Sequence, residues 1–191
     1  MTSAFADPPI TPKAAATRAR LLDIAAVVFI EHGYAAVSLR DIAKVAGVTK
    51  GAIYGHFRSK GQLLVEVIRT QLAERDARFD MDAAAEQPMT AFVQFINPDS
   101  RDLRLLQIDA AAAARHDLDV AAGLEEIYAA RSAWILDTLR RLDSPETLLY
   151  IINALSAGVG AQEAHGRIAP DPNAWSNAVA RLFGVADKSK T

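Results

Sequence analysis

The chain has 191 residues, 51% of them apolar and 23% charged, a globular composition too apolar for wholesale disorder. Cysteine is absent, which excludes a disulfide framework, thiolate catalysis and cysteine-ligated zinc. The net charge of −2 is uneven: residues 1–60 carry +4 and residues 61–191 carry −6, the pattern of a polyanion-binding module on an acidic body.

Alanine makes up about a fifth of the chain, and helix formers dominate its long segments. Neither period-2 alternation nor an Asn-Gly or Asp-Gly hairpin signal occurs. The expected fold class is therefore all-α. It comprises about nine helices: a three-helix helix-turn-helix domain over 13–60 and a helical bundle over 61–191.

Residues 1–12, with Pro8, Pro9 and Pro12, are expected to form a flexible arm. They lack the basic-then-apolar pattern of a secretory signal. The longest weakly polar stretch, Leu148 to Ala161, is shorter than the ~20 residues a spanning helix needs. A cytoplasmic location with no membrane partner is expected.

The first helix is predicted to run to about His32, with Leu22, Ala25, Ala26 and Phe29 as one buried stripe. Gly33 should end it in the left-handed region, with Tyr34 folding back. Ser38-Leu-Arg-Asp41 reads as a capping box opening a short helix that stops near Gly47. Thr49 caps another short helix through Phe57, and Ser59-Lys-Gly-Gln62 opens a longer one to about Arg78. The segment Met81 to Glu86 is ambiguous. Asn97-Pro98, Ser144-Pro145 and Asp171-Pro172 mark later starts, each a capping residue followed by proline at the first helical position. Helices are thus predicted over 88–96, 98–115, 118–142, 145–166 and 172–184.

Function concentrates in Ser38 to Lys60. Ala43 lets two short helices approach, Gly47 turns the corner between them, and Ile42, Val45, Val48, Ile53 and Phe57 give both an apolar floor. The second helix then exposes Lys50, Gly51, Tyr54, Gly55 and His56, a face suited to the major groove of duplex DNA. Helix starts at Ser38, Thr49 and Ser59 present amides to phosphates, with Lys60 adding a charge. A helical hairpin serving only as core is the other reading of the motif, and an all-α enzyme or small-molecule carrier the alternative function. The basic charge falling on the motif, and the lack of any nucleophile–base or paired-carboxylate constellation, favour the DNA-binding reading.

Residues 17–64 resemble the N-terminal DNA-binding domain of the TetR family of transcriptional repressors. The likeness rests on the Asp-x-Ala pattern ending in Phe-x-x-x-Gly-Tyr, then Ile-Ala-x-x-Ala-Gly-Val-Thr-x-Gly, Ile-Tyr-x-His-Phe and Ser-Lys. The remainder agrees in length and helix count only. The resemblance implies phosphate contacts from Ser38, Thr49, Tyr54, His56 and Lys60, with Arg40 near the backbone. It places Lys50, Gly51 and Gly55 closest to base edges. Position 55 usually carries a larger side chain in this family, so Lys50 and DNA shape are expected to carry more of the specificity here.

A single helix-turn-helix reads a short half-site, so a homodimer on a palindromic double-stranded DNA operator is expected. Leu148, Ile152, Leu155 and Val159 form a large apolar stripe beside the small stripe of Ala154, Gly158 and Ala161. Two faces imply two neighbours. With Trp175, Val179, Leu182 and Phe183 of the last helix, the candidate dimer interface is Ile152, Leu155, Gly158, Val159 and those four; the other reading is monomer core. Asp109 and Arg131 interrupt apolar stripes, and a buried charge needs a partner. Either they pair with each other or one meets an unknown small-molecule effector in an apolar cavity lined by Phe92, Phe95, Met89, Tyr128, Trp134 and Tyr150. A DNA binder lacking any effector is a third possibility. His116 and His165 beside acids do not make a metal site, and no cofactor is expected.

Overall fold

The computed structural model describes residues 11–78, 100–140 and 143–167, with Asp171, Ala174, Asn177, Ala178 and Arg181. Every regular element among the described residues is helical: α1 (Pro12–His32), α2 (Leu39–Val45), α3 (Lys50–His56), α4 (Lys60–Asp76), α5 (Arg101–Ala113), α6 (Leu118–Leu139) and α7 (Pro145–Ala164). Seven helices are therefore described, against about nine expected. The predicted helix over 88–96 lies outside the described residues, as does the ambiguous Met81 to Glu86. Of the one over 172–184, only Ala174, Asn177, Ala178 and Arg181 are described, all helical and exposed.

Local chemistry sets the early boundaries. The Thr11 hydroxyl accepts from the Ala14 amide at 3.3 Å, and Pro12 occupies the first turn of α1, where its missing amide donor is harmless. Leu21, Leu22, Ala25, Ala26, Val28 and Phe29 are buried along one side. Each large side chain among them removes apolar surface worth about 1.5–3 kcal/mol. Gly33 ends α1 by donating to the Phe29 carbonyl at 2.8 Å. Its φ is 77° as expected, but its ψ of 147° is extended rather than left-handed helical, so the chain leaves α1 directly toward α2. Tyr34 is buried, with its ring 5.6 Å from that of Phe29.

The late boundaries differ more. α5 begins at Arg101, and Ser100 makes no side-chain cap; Asn97 and Pro98 lie outside the described residues. α6 ends at Leu139 and α7 at Ala164, each two or three residues early. Pro145 does occupy the first turn of α7, yet Ser144 sits at φ 56° with no capping bond, because its backbone is already in the left-handed region. Asp171 behaves as a cap should, accepting from the Ala174 amide at 3.1 Å.

α4 is the central strut. It packs on α1, α5 and α6, while α7 packs on α5 and α6. One apolar core runs from Leu21 and Phe29 through Phe57, Leu63, Leu64 and Ile68 to Leu106, Val120 and Ile127. A smaller cluster of Ile135, Leu139 and Leu149 holds the far ends of α6 and α7. α4 and α6 cross at Gly123, where an added Cβ would lie 2.5 Å from a Val65 methyl, so only glycine admits the observed approach. Among the described residues, no helix is long and apolar enough to cross a membrane.

Candidate nucleic-acid interface

The corner between α2 and α3 is built from short-range rules. The Ser38 hydroxyl accepts from the Asp41 amide at 3.3 Å while the Asp41 carboxylate accepts from the Ser38 amide at 3.0 Å, a complete capping box. Gly47 adopts φ 64° and Val48 donates to the Ala43 carbonyl at 3.0 Å, closing the turn. Thr49 caps α3 by accepting from Ala52 at 3.1 Å. Ile42, Ala43, Ala46, Ile53 and Phe57 are buried, and Val48 packs against them. Val45 was expected on this floor, but it is 63% exposed: α2 turns its Ile42 side inward instead.

α3 consequently stands outward. Lys50, Gly51, Ala52, Tyr54 and Gly55 are exposed on one face, while Ile53 fixes the other. The Lys50 ammonium lies 5.6 Å from the centre of the Tyr54 ring. His56 is half-buried, its ring tilted against Phe57. An added Cβ at Gly55 would meet nothing within 4 Å, so the missing side chain is not a steric requirement. On α2, Arg40 and Lys44 are both exposed at i and i+4. Lys44 was not singled out from sequence; its spacing from Arg40 is the signal that finds it.

Of the other basic residues of the first third, Arg18 and Lys60 are half-buried, while Arg20 and Arg58 stay exposed but bond within the chain. Arg18 bonds Glu66 at 2.9 Å and stacks 4.9 Å from the centre of the Phe57 ring. Arg20 donates to the Ala46 carbonyl and Arg58 reaches Asp119. Lys60 donates to the Tyr34 carbonyl at 2.8 Å with its ammonium 4.0 Å from the centre of that ring, and burial holds its pKa below the ordinary lysine value. The Ser38 hydroxyl donates to Asp41 and the Ser59 hydroxyl to Asp119, both at 2.5 Å. The Ser59 box is half formed: Ser59 accepts from Gln62, but the Gln62 side chain reaches past it to the Arg58 amide. The outward face of α2 and α3 includes Arg40, Lys44, Thr49, Lys50, Gly51, Tyr54 and Gly55, with His56 at its edge.

The expected Asp109–Arg131 pair does not form. Asp109 accepts from the Tyr34 amide at 2.7 Å, at the junction of α1 and α5, whereas Arg131 bonds Asp76 across α4 and α6. The two charges thus answer different partners on different helices. Tyr128 and Arg131 line a cavity of about 50 Å³ bounded by α4, α5, α6 and α7. Trp134 and Arg131 line a groove of about 560 Å³ between α4 and α6. Tyr150, by contrast, is 75% exposed on α7 and lines neither. Met89, Phe92 and Phe95 lie outside the described residues.

On α7, Ile152, Leu155 and Val159 are half-buried and Gly158 is exposed, in line with Ala154 and Tyr150. Trp175, Val179, Leu182 and Phe183 lie outside the described residues. A buried ion pair unforeseen from sequence ties α7 down: Arg104 donates to Glu163 through two bonds of 2.8 and 2.6 Å. Glu163 falls four residues after Val159, on the same stripe, which was its available signal. Among the described residues no group of three or more histidines and acids is placed to hold a metal ion.

Comparison with known proteins places this geometry. Residues 21–67 match the family model described as bacterial regulatory proteins, tetR family. Over 52 residues the chain is 48% identical to the HTH-type transcriptional repressor KstR2 of Rhodococcus jostii, covering 27% of this chain and 26% of that one. Over 51 residues it is 49% identical to the HTH-type transcriptional regulator AcrR of Shigella flexneri, covering 27% and 24%. These matches thus span about a quarter of the curated relatives' length. Beyond that segment the likeness is one of fold. A Saccharomonospora viridis protein solved in complex with choline superposes with a TM-score of 0.72 at 20% identity, over 90% of this chain and 97% of that one.

Proposed function

This chain is a member of the TetR family of bacterial regulators through its helix-turn-helix module, and from that premise we propose that it is a repressor. It binds a palindromic double-stranded DNA operator as a homodimer and is released by a small-molecule effector. Residues 13–60 are the DNA-binding module and residues 61–191 the effector-binding and dimerisation body. The observation that carries the reading is α3 itself. A seven-residue helix anchored by Ile53 alone, with Lys50 and Tyr54 turned outward, has the size and chemistry of a major-groove reader. A hairpin serving only as core would bury that face.

Exposed Arg40 and Lys44 on α2 suit the phosphate backbone that the first helix of such a pair crosses. The exposed line of Tyr150, Ala154 and Gly158 on α7, one large ring followed by two small residues, supplies a surface for a second copy. The cavity and groove of the body support an effector, as does the choline held by a protein of the same fold.

The test is duplex binding by the full chain. Fluorescence anisotropy with inverted-repeat fragments from upstream of its own gene should show saturable binding of two chains per site. Affinity should fall steeply between about 50 and 200 mM salt. Lys50→Ala should change the preferred sequence. Absence of any sequence-preferring binding in dilute buffer would refute the proposal.

A further inference from the structure

The cavity between α4, α5, α6 and α7 holds two guanidinium groups among neutral polar side chains, with Ile135, Leu149 and Ile152 as its apolar wall. Arg75 enters from α4, Gln107 from α5, Tyr128 and Arg131 from α6, and Asn153 and Ser156 from α7. Among the described residues that line it, none is an acid. Asp76 meets both guanidinium groups, at 3.4 Å from Arg75 and in direct contact with Arg131, but it lines the neighbouring groove rather than the cavity. Arg75 and Arg131 side chains are only 20% and 12% exposed. Burial, followed by the positive charge of Arg131, pushes the Arg75 guanidinium down to about 10.

A cation entering this space would face the like charge of two guanidinium groups that share Asp76, and a neutral apolar group would make no use of the polar lining. An anion answers the charge of two guanidinium groups set against one carboxylate. Size narrows the choice: a cavity of about 50 Å³ has room for roughly three or four water-sized atoms, which suits a carboxylate. Planar guanidinium groups bind carboxylates through paired bonds. Arg131 also lines the groove, whose mostly apolar wall includes Leu72, Ala73, Ile127, Ala130 and Trp134. Its volume of about 560 Å³ lies in the range of small-molecule sites.

We propose that the body binds an amphipathic carboxylate, an acyl-chain anion whose head enters the cavity between Arg75 and Arg131 and whose tail lies in the groove beside Trp134. This names the chemistry of the effector and rests on the regulator reading above. The test is calorimetry on the full chain with decanoate, decanol and decyltrimethylammonium as probes. Decanoate should bind at least about tenfold tighter than the other two. Arg131→Gln should remove most of that difference while leaving decanol unchanged. Because Arg131 also bonds Asp76, Ser156→Leu, which fills the cavity from α7, provides a second variant; it should weaken decanoate to the same degree with an unaltered melting curve. Equal binding of decanoate and decanol, binding of no probe, or folded variants that keep decanoate affinity would each overturn the proposal. The same preparation is titrated with the operator fragment. Duplex binding without decanoate binding sinks the carboxylate site and leaves the regulator reading standing; decanoate binding without duplex binding does the reverse.

Discussion

The Tyr34 hydroxyl donates to the Asp117 carboxylate at 2.9 Å, joining the turn after α1 to the turn between α5 and α6. The same tyrosine is held twice more, its amide by Asp109 and its carbonyl by Lys60. Tyr34 is therefore one fastening between the helix-turn-helix module and the body, beside Arg18 with Glu66 and Ser59 with Asp119. Burial, then the hydrogen bond to Asp117, keep its phenol protonated and donating well into the alkaline range.

Replacing Tyr34 by Phe removes one donor and leaves a part-buried carboxylate short of a partner. The expected cost is about 1–2 kcal/mol in urea denaturation. The backbone bonds to Asp109 and Lys60 remain, and α3 is untouched, so duplex affinity of the folded protein should stay within about threefold of wild type. An unchanged denaturation midpoint would show that the Asp117 contact contributes nothing net.

Asp41 gives a pH prediction with a definite sign. Hydrogen bonds from Ser38 hold its carboxyl below the ordinary aspartate value. A depressed folded-state pKa contributes stability that is fully present above the unfolded value and is lost as pH falls through the folded one. Asp41→Asn keeps the shape of the capping box without the charge. Its melting temperature should lie below wild type above about pH 5, and the gap should close progressively below about pH 4. A gap independent of pH would assign the effect to geometry rather than ionisation.

The helix-turn-helix was legible from sequence because its determinants are local. Ser38 with Asp41, Thr49 with Ala52 and Gly47 with its positive φ act within four residues, and the periodicity of Ile42, Ile53 and Phe57 follows. The choice of partners between helices was not legible. Asp109 and Arg131 each sit on a recognisable apolar stripe, but whether they meet depends on the rotation and offset of α5 against α6, which periodicity does not encode. Tyr34 and Asp76 claimed them instead. Lys60 shows the same limit. Its place just inside α4 suggested a phosphate, yet the fold of Tyr34 over the α4 start turned its ammonium inward. The charge asymmetry was real in sum, but Arg18 and Lys60 are turned into contacts within the fold, while Arg20 and Arg58 bond within the chain from exposed positions.

Gly55 separates stability from recognition. Glycine inside a helix costs about 1 kcal/mol relative to alanine, and nothing within 4 Å opposes an added methyl here. Gly55→Ala should therefore raise unfolding free energy by roughly 0.5–1 kcal/mol. If position 55 approaches the duplex as closely as a glycine permits, the same variant will lose operator affinity despite its greater stability. Opposite movement of the two readouts is the expected result; a parallel gain in both would place Gly55 away from the DNA.

Arg104 and Glu163 are each 2% exposed, and the two hydrogen bonds from the guanidinium to the carboxylate clamp α7 onto α5. Such a pair loses so much hydration that its net value against apolar residues is small, whereas removing one partner strands the other charge. Arg104→Met alone should cost about 3–5 kcal/mol, enough to threaten folding of a domain this size. The double replacement Arg104→Met with Glu163→Leu should recover most of that loss, because both charges leave together and apolar side chains of similar bulk fill the space. Guanidinium denaturation of the two single variants and the double variant closes the cycle. If the double variant is as unstable as the sum of the singles, the ion pair acts through a third group, and the clamp between α5 and α7 is wider than these two residues.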